Sequence, residues 1–501
     1  MSQNTMSAAA PPGHDLIGFD AETHAKRWWI LAVLGLAQLM VVLDATIVNI
    51  ALPSAQHALR FSTSDRQWIV TAYSLAFGSL LLLGGRLSDY LGRKRMFLIG
   101  IIGFGVASAF GGVSTSFIEL AIARAAQGAF GAMLAPAGLS LLTTTFSDPA
   151  ERGKAFGVYG AIAGAGGAVG LLLGGFLTQY LSWRWCLYVN CILAVIAVVG
   201  GWRLLKNQAR STDTHFDIPG TIAIILGLVG IVYGFSQAET KGWLSAVTLG
   251  SIAAGVILVA IFVMIERRAA HPLLPLSVVM HRVRGASYLA IAFVGIGIFG
   301  VFLFLTYFMQ QQLGYSPITT GVAFLPMIAA LMASSIWSTS KLLPRFGPKI
   351  PVVTGMLLAA VGMVLMTQLT LGADYWSAIV PGLLLVGFGI GLVFGVAMNV
   401  GTAGATESDA GVASAMVNTS QQIGGAIGTA LLNSLAASAT ARYALHRSGT
   451  ALVRNHAALH GDIVAFVVVV GVLAVAAVVT LLVYPNGKVE IEPDADRVAF
   501  A

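Results

Sequence analysis

The sequence predicts an all-α polytopic membrane protein: two six-helix bundles related by a pseudo-twofold repeat, joined by two extra linking helices, fourteen transmembrane helices in all. Three observations carry this. Of 501 residues, 57% are hydrophobic and only 10% charged, against about 25% charged in soluble domains. Many apolar runs reach the ~20 residues that cross a ~30 Å hydrocarbon core. A short basic, glycine-punctuated segment recurs once along the chain, eight runs after its first appearance.

Spans in lipid must satisfy their own backbone hydrogen bonds, so they are helices or closed barrel strands. Barrel strands would show about ten residues of strict alternation, and no run here alternates for long. Helices are expected near 28–52, 66–86, 96–114, 117–142, 155–180, 185–205, 217–236 and 243–265, then 285–310, 318–340, 350–370, 375–399, 411–438 and 462–484. The implied organisation is an N-terminal tail (1–27), a first bundle (28–206), the linking helices (207–284), a second bundle (285–485) and a C-terminal tail (486–501). The run after Lys26 and Arg27 is too long for a signal-peptide core.

The net charge of +7 does not indicate nucleic acid, because the basic residues lie in short loops between spans. With the N-terminus inside, about 20 of the 28 basic residues fall on cytoplasmic segments and about 7 outside, which favours cytoplasmic termini and a plasma-membrane protein. The segment 439–461, with Arg442, Arg447 and Arg454, runs against that trend. Cys186 and Cys191 share one apolar run and form neither a disulfide framework nor a metal site. No metal-ligand cluster, nucleotide-binding loop or nucleophile constellation is present. The chain is therefore not expected to be an enzyme, to need a cofactor or to hydrolyse ATP. A membrane-embedded enzyme and a non-transporting sensor are weaker alternatives.

The repeat pairs Gly85-Arg86-Leu87-Ser88-Asp89-Tyr90-Leu91-Gly92-Arg93-Lys94-Arg95 with Ser340-Lys341-Leu342-Leu343-Pro344-Arg345-Phe346-Gly347-Pro348-Lys349. Leu87, Gly92 and Lys94 match Leu342, Gly347 and Lys349. Parallel repeats of this kind are a transporter architecture with its site between the halves. Asp89 is placed to cap the following helix; Pro344 in the second copy cannot do so.

Residues 85–95 resemble the loop signature of the major facilitator superfamily, Gly-x-Leu-x-Asp-x-x-Gly-Arg-Lys. Leu43-Asp44-Ala45-Thr46-Ile47-Val48-Asn49-Ile50-Ala51-Leu52-Pro53, Arg124-x-x-Gln127-Gly128-x-x-Gly131 and Asn418-Thr419-Ser420-Gln421-Gln422-Ile423-Gly424-Gly425 resemble the fourteen-span drug:proton antiporter branch. The resemblance runs from about residue 28 to 484. It implies alternating access and proton-coupled efflux of lipophilic drugs. Uptake, or transport of one specific metabolite or natural product, is the alternative. The implied partners are the bilayer, protons and a lipophilic small molecule, with no nucleic acid; a monomer is expected. It also implies a cytoplasmic latch of Gly85, Asp89, Gly92, Arg93 and Lys94, with Arg93 meeting Asp148 or Glu151. In the fifth helix Gly160, Gly164, Gly166, Gly170 and Gly174 form a small-residue ladder suited to close helix packing, and a hinge by resemblance. Gly167 and Leu171 stand where the family's antiporter motif carries prolines.

Asp44 and Arg124 are ionisable residues inside apolar spans, where such groups are costly and mark function. Their depths match, and helices one and four are neighbours in the family. A conformational change that altered their separation would load and release a proton; a static salt bridge is the competing reading. Gln38, Asn49, Tyr73, Gln127, Asn190, Asn399, Asn418 and Gln422 are candidates to line a substrate path, although each could equally be an interhelical hydrogen bond. Tyr73 and the rings of Phe299, Phe302, Phe304, Tyr307 and Phe308 could stack on aromatic cations or simply pack. The histidines are expected in tails and loops.

Overall fold

A computed structural model describes residues 21–146, 148–206, 217–269, 272–403, 410–445, 447 and 450–487. Among them are fourteen helices long and apolar enough to cross a membrane, and no strand. The first bundle comprises α1 (Ala21–Leu59), α2 (Thr63–Leu91), α3 (Arg93–Val113), α4 (Phe117–Thr145), α5 (Pro149–Tyr180) and α6 (Trp185–Leu204). The linking pair is α7 (Ile218–Lys241) and α8 (Ala246–Arg268). The second bundle comprises α9 (Arg282–Gln312), α10 (Pro317–Phe346), α11 (Lys349–Met366), α12 (Tyr375–Thr402), α13 (Ala410–Ala444) and α14 (Ala451–Val483).

Helix packing repeats at an offset of eight. In the first bundle α1 packs on α5 and α6, α4 on α2 and α3, and α3 on α6. In the second, α9 packs on α13 and α14, α12 on α10 and α11, and α11 on α14. The sequence repeat marks equivalent turns. Gly92 (φ 94°) and Gly347 (φ 71°) each end one helix and start the next in a backbone region that side chains avoid. Lys94 Nζ then donates to the Trp202 and Leu205 carbonyls at the end of α6. Its counterpart Lys349 donates to Asn486 Oδ1 just past α14, at 2.7 Å. A lysine at a helix C-terminus meets orphan carbonyls and the negative end of the dipole.

Several helices outrun their apolar windows. Helix α2 continues to Leu91, so most of the 85–95 segment is helical and only Gly92 turns. Between α13 and α14 the expected loop 439–461 shrinks to a few residues, because α13 continues to Ala444 and α14 starts at Ala451. Thr450 caps that start by accepting from Val453 N. His456 and His460 thus lie on α14, and His57 on α1, not in loops. Wider turns interrupt the second bundle at Phe308–Gln312, Ser338–Leu342 and Tyr375–Ile379, the π-helical insertions often found where a helix carries function.

The small-residue ladder of α5 has two faces. A side chain at Gly166, Gly170 or Gly174 would collide with Val42, Thr46 or Ile47 of α1, the Gly170 contact falling 2.0 Å from Thr46 Oγ1. These three share one face by their spacing of four, and they press α5 onto α1 on either side of Asp44. Gly160 is a correction: a side chain there would have nothing within 4 Å, so it packs no helix. Gly164 lies within α5, but its surroundings are outside what the structure describes. The second bundle repeats the device, with Gly424 of α13 against the Ala292 carbonyl of α9 and Gly428 against Ile296.

The linking pair packs on itself and, through α7, against α2 and α13. Arg86 of α2 donates to the Pro272 carbonyl (2.7 Å), and Glu266 accepts from Leu274 N (3.0 Å). The segment after α8 is thereby tied to the first bundle.

Candidate functional site

Polar residues from five helices converge inside the first bundle. Asp44 of α1 and Arg124 of α4 are 0% and 2% exposed. Arg124 Nη1 donates to Asp44 Oδ2 at 2.5 Å. The other carboxylate oxygen accepts from Gln127 Nε2 (2.9 Å) and from Asn190 Nδ2 of α6 (2.7 Å). Gln127 also receives Arg124 Nη1 on its own oxygen at 2.8 Å and donates to Ser108 Oγ of α3 at 2.7 Å. Arg124 Nε reaches the Ile69 carbonyl of α2 at 3.1 Å, and its guanidinium lies 4.4 Å over the Tyr73 ring. Tyr73 OH donates to the Val41 carbonyl.

Burying two charges costs several kcal/mol per ion, and only good geometry with further hydrogen bonds offsets it. Both conditions are met here. The network also has room for one more proton: Asn190 Oδ1 is buried with no donor. Because Nδ2 is the atom on the carboxylate, Oδ1 becomes an acceptor for a protonated Asp44 when that amide turns over.

The structure brings Asp44, Arg124, Gln127, Tyr73 and Asn190 into one cluster and leaves the other candidates apart. Tyr73 and Gln127 are therefore buried partners of the ion pair and line no open path. Gln38 accepts from Tyr159 OH of α5 at 2.9 Å. Asn49 and Asn418 return their amides to carbonyls of their own helices, Ala45 and Ser414. Asn399 is exposed on α12, and Gln422 lies where α13 meets Gly78 of α2.

In the 85–95 segment, Arg93 opens α3 directly after the Gly92 turn, and the Gly85 position lies near Pro136. The side chain of Asp89 lies outside the described residues. Asp148 caps α5 by accepting from Glu151 N at 2.9 Å, while Glu151 is engaged by Arg27 at the foot of α1, at 2.7 Å. Lys94, Asp148 and Glu151 thus all make these contacts within the first bundle.

The two bundles meet at the opposite end, the Leu59 face. There Tyr307 OH donates to Gln56 Oε1 (2.5 Å), Gln310 Nε2 to the Ile50 carbonyl (3.1 Å), and Ile318 N to Gln179 Oε1 (3.3 Å). Arg66 of α2 is buried against the second bundle, with Nε on Asn433 Oδ1 (2.8 Å) and its guanidinium 4.3 Å over the Tyr307 ring. The aromatic rings of α9 thus stack on a cation of the protein itself. At the Gly92 face the bonds Arg27–Glu151, Lys94–Trp202, Arg282–Val483 and Lys349–Asn486 each join parts of one bundle.

Sequence reasoning missed Ser108, Arg66, Asn433 and Asp462. Asp462 fell on the edge of an expected loop because 451–461 is too polar for an apolar window. The threonine cap at Thr450 is the signal that would have placed it within a helix.

A family profile described as the Major Facilitator Superfamily matches residues 34–429. The chain is 48% identical over 455 residues to a puromycin resistance protein of Streptomyces alboniger, covering 90% of each chain. It is 33% identical to a cephamycin export protein of Amycolatopsis lactamdurans, covering 92% of this chain and 94% of the relative. A tetracenomycin C resistance and export protein of Streptomyces glaucescens is 34% identical, with 82% and 76% covered. Among solved structures, an auto-inhibited POT family peptide transporter aligns with TM-score 0.67 at 14% identity, covering 93% of this chain and 98% of that one. An inward-facing bacterial homologue of the lysosomal transporter Spinster gives 0.64 at 17% identity, covering 91% and 96%.

Proposed function

This chain belongs to the Major Facilitator Superfamily, and we propose that it exports lipophilic antibiotic-like molecules across the plasma membrane in exchange for protons. The observation that carries the proton coupling is the Asp44–Arg124 pair, a carboxylate sealed inside a span among donors that have alternative partners. The relatives, a puromycin resistance protein and two antibiotic export proteins, support an efflux direction and a small-molecule cargo. Lysine and arginine crowd the Gly92 face, which supports a cytoplasmic side for that face and for both termini. Contact at the Leu59 face then makes this the state closed to the outside.

In this reading, substrate enters from the cytoplasmic side while Asp44 is ionised and held by Arg124. Rearrangement to the outward state separates the pair, Asp44 takes a proton from the acidic side, and Asn190 Oδ1 accepts the new O–H. Return to the inward state brings Arg124 back and expels the proton to the cytoplasm. Gly166, Gly170 and Gly174 give α5 a smooth surface against α1 at the level of Asp44, so small helix motions there act directly on the carboxylate.

The test is transport in proteoliposomes with an acidic lumen, using puromycin and the fixed-charge cation ethidium as probes. Each pH unit should support about tenfold accumulation per proton exchanged, since about 1.4 kcal/mol is a factor of ten. Protein-free vesicles supply the baseline. Accumulation that ignores the gradient would overturn the reading.

A further inference from the structure

Asp462 is a second buried acid, and its surroundings differ from those of Asp44. It lies eleven residues into α14, ~17 Å at helical rise, and is 6% exposed. One carboxylate oxygen accepts from Gln312 Nε2 at 2.9 Å, and Gln312 ends the π-helical turn that closes α9. The same turn follows Tyr307, whose ring carries Arg66 from the other bundle. Arg66 is 7% exposed, stacked also 5.5 Å over Phe304 and bonded to Asn433. Among the described residues no carboxylate forms an ion pair with Arg66, and Asp462 is bonded at the far end of the turn that follows the ring Arg66 covers. A cation from the first bundle is thus seated in a cradle of the second, and the turn leading from that cradle ends on the glutamine bonded to a buried carboxylate.

We propose that Asp462 is a second proton-binding carboxylate, set in the gate between the bundles at the Leu59 face, whose ionised form holds Arg66 in its cradle and keeps the gate shut. A buried guanidinium without a counter-charge is expensive, so protonating Asp462 makes the seated position of Arg66 costlier and favours parting of the bundles. Once they part, water reaches the carboxylate, and a proton from the outer solution binds its oxygen with no other group transferred. Acid outside therefore favours the outward-open carrier. The remaining ionisable groups near this region are few. Asp65, next to Arg66, is bonded to Ser62. From α9 comes Tyr307; from α13, Arg442 and Tyr443, the latter packed on His460 at 5.2 Å. Arg454, His456 and His460 share α14, the closing turn of α9 has none, and Lys349 of α11 is at the other end.

The inference takes only its sidedness from the proton-coupled reading, and its test needs neither substrate nor gradient. Spin labels would be placed at Tyr180→Cys and Val322→Cys, exposed positions on α5 and α10 flanking the contact, in full-length protein carrying Cys186→Ala and Cys191→Ala. The distance distribution is recorded in lipid nanodiscs from about pH 8 to about pH 5.5. The open fraction should rise several-fold on acidification. In Asp462→Asn it should be high at both ends of the range, and Asp462→Glu should restore the response, which separates gating from misfolding. Asp44→Asn removes the other carboxylate that can bind a proton in the outward state, so it should raise the open fraction at high pH while a further rise on acidification persists through Asp462; loss of transport through Asp44 would leave that remaining rise intact. A wild-type distance that ignores pH, or an unchanged response in Asp462→Asn, overturns the proposal.

Discussion

Proteoliposomes carrying Asp44→Asn are expected to exchange labelled for unlabelled substrate near the wild-type rate while substrate-driven proton movement falls to the protein-free level. Exchange needs only the substrate-bound carrier to reorient, whereas net coupled transport needs a group that binds and releases a proton during the cycle. Asparagine keeps the shape and an acceptor oxygen for Arg124 but cannot ionise. The substitution leaves Arg124 without a counter-charge, yet not without partners: Gln127 Oε1, the Ile69 carbonyl and the Tyr73 ring remain. The variant should therefore fold, with a lowered melting temperature. Equal loss of exchange and of proton movement would make Asp44 a structural residue.

Removing the other partner should cost far more stability. Arg124→Ala deletes a wholly buried side chain that contacts α1, α2 and its own helix, and strands the Asp44 carboxylate among dipoles alone. Breaking one partner of a buried pair costs about 3–5 kcal/mol, and the vacated volume adds a cavity. Thermal unfolding in detergent should show Arg124→Ala melting well below Asp44→Asn. With Arg124→Gln as the matching single variant, the double variant Asp44→Asn/Arg124→Gln, with neither charge, should lose much less than the two single losses add to, giving a coupling energy at the upper end of the ~0.5–3 kcal/mol range for interacting residues. Additive losses in the double variant would mean that the two side chains do not act as a pair.

The spans were legible because lipid leaves a chain so few options: an apolar run long enough to cross must be a helix, and the runs are written in residue type. Gly92 and Gly347 were legible as a repeat because a helix-ending turn at positive φ needs glycine at both copies. The meeting of Asp44 and Arg124 followed from depth, a one-dimensional quantity that sequence carries, together with the neighbouring of helices one and four that the family resemblance implied. Asn190 and Ser108 as their partners did not, since which face of α6 or α3 turns toward α1 is set by packing across the bundle. Asp462 was hidden for a different reason. Hydropathy marks where lipid begins and ends, not where a helix does, and α14 starts eleven residues before Asp462 in sequence too polar to register. Gly160 misled because glycine spacing shows where a neighbour can approach and not where one does: Gly166, Gly170 and Gly174 meet α1, and nothing lies against Gly160.

The central claim is that outward movement of substrate and inward movement of protons are one event. The most direct measurement imposes a substrate gradient across proteoliposomes with equal pH on both sides and follows luminal pH with an entrapped dye, using ethidium as substrate and a clamped membrane potential. Ethidium leaving the lumen should acidify it, and reversing the ethidium gradient should reverse the sign. Ethidium flux with no change of pH, or protons moving in the same direction as ethidium, would contradict the account.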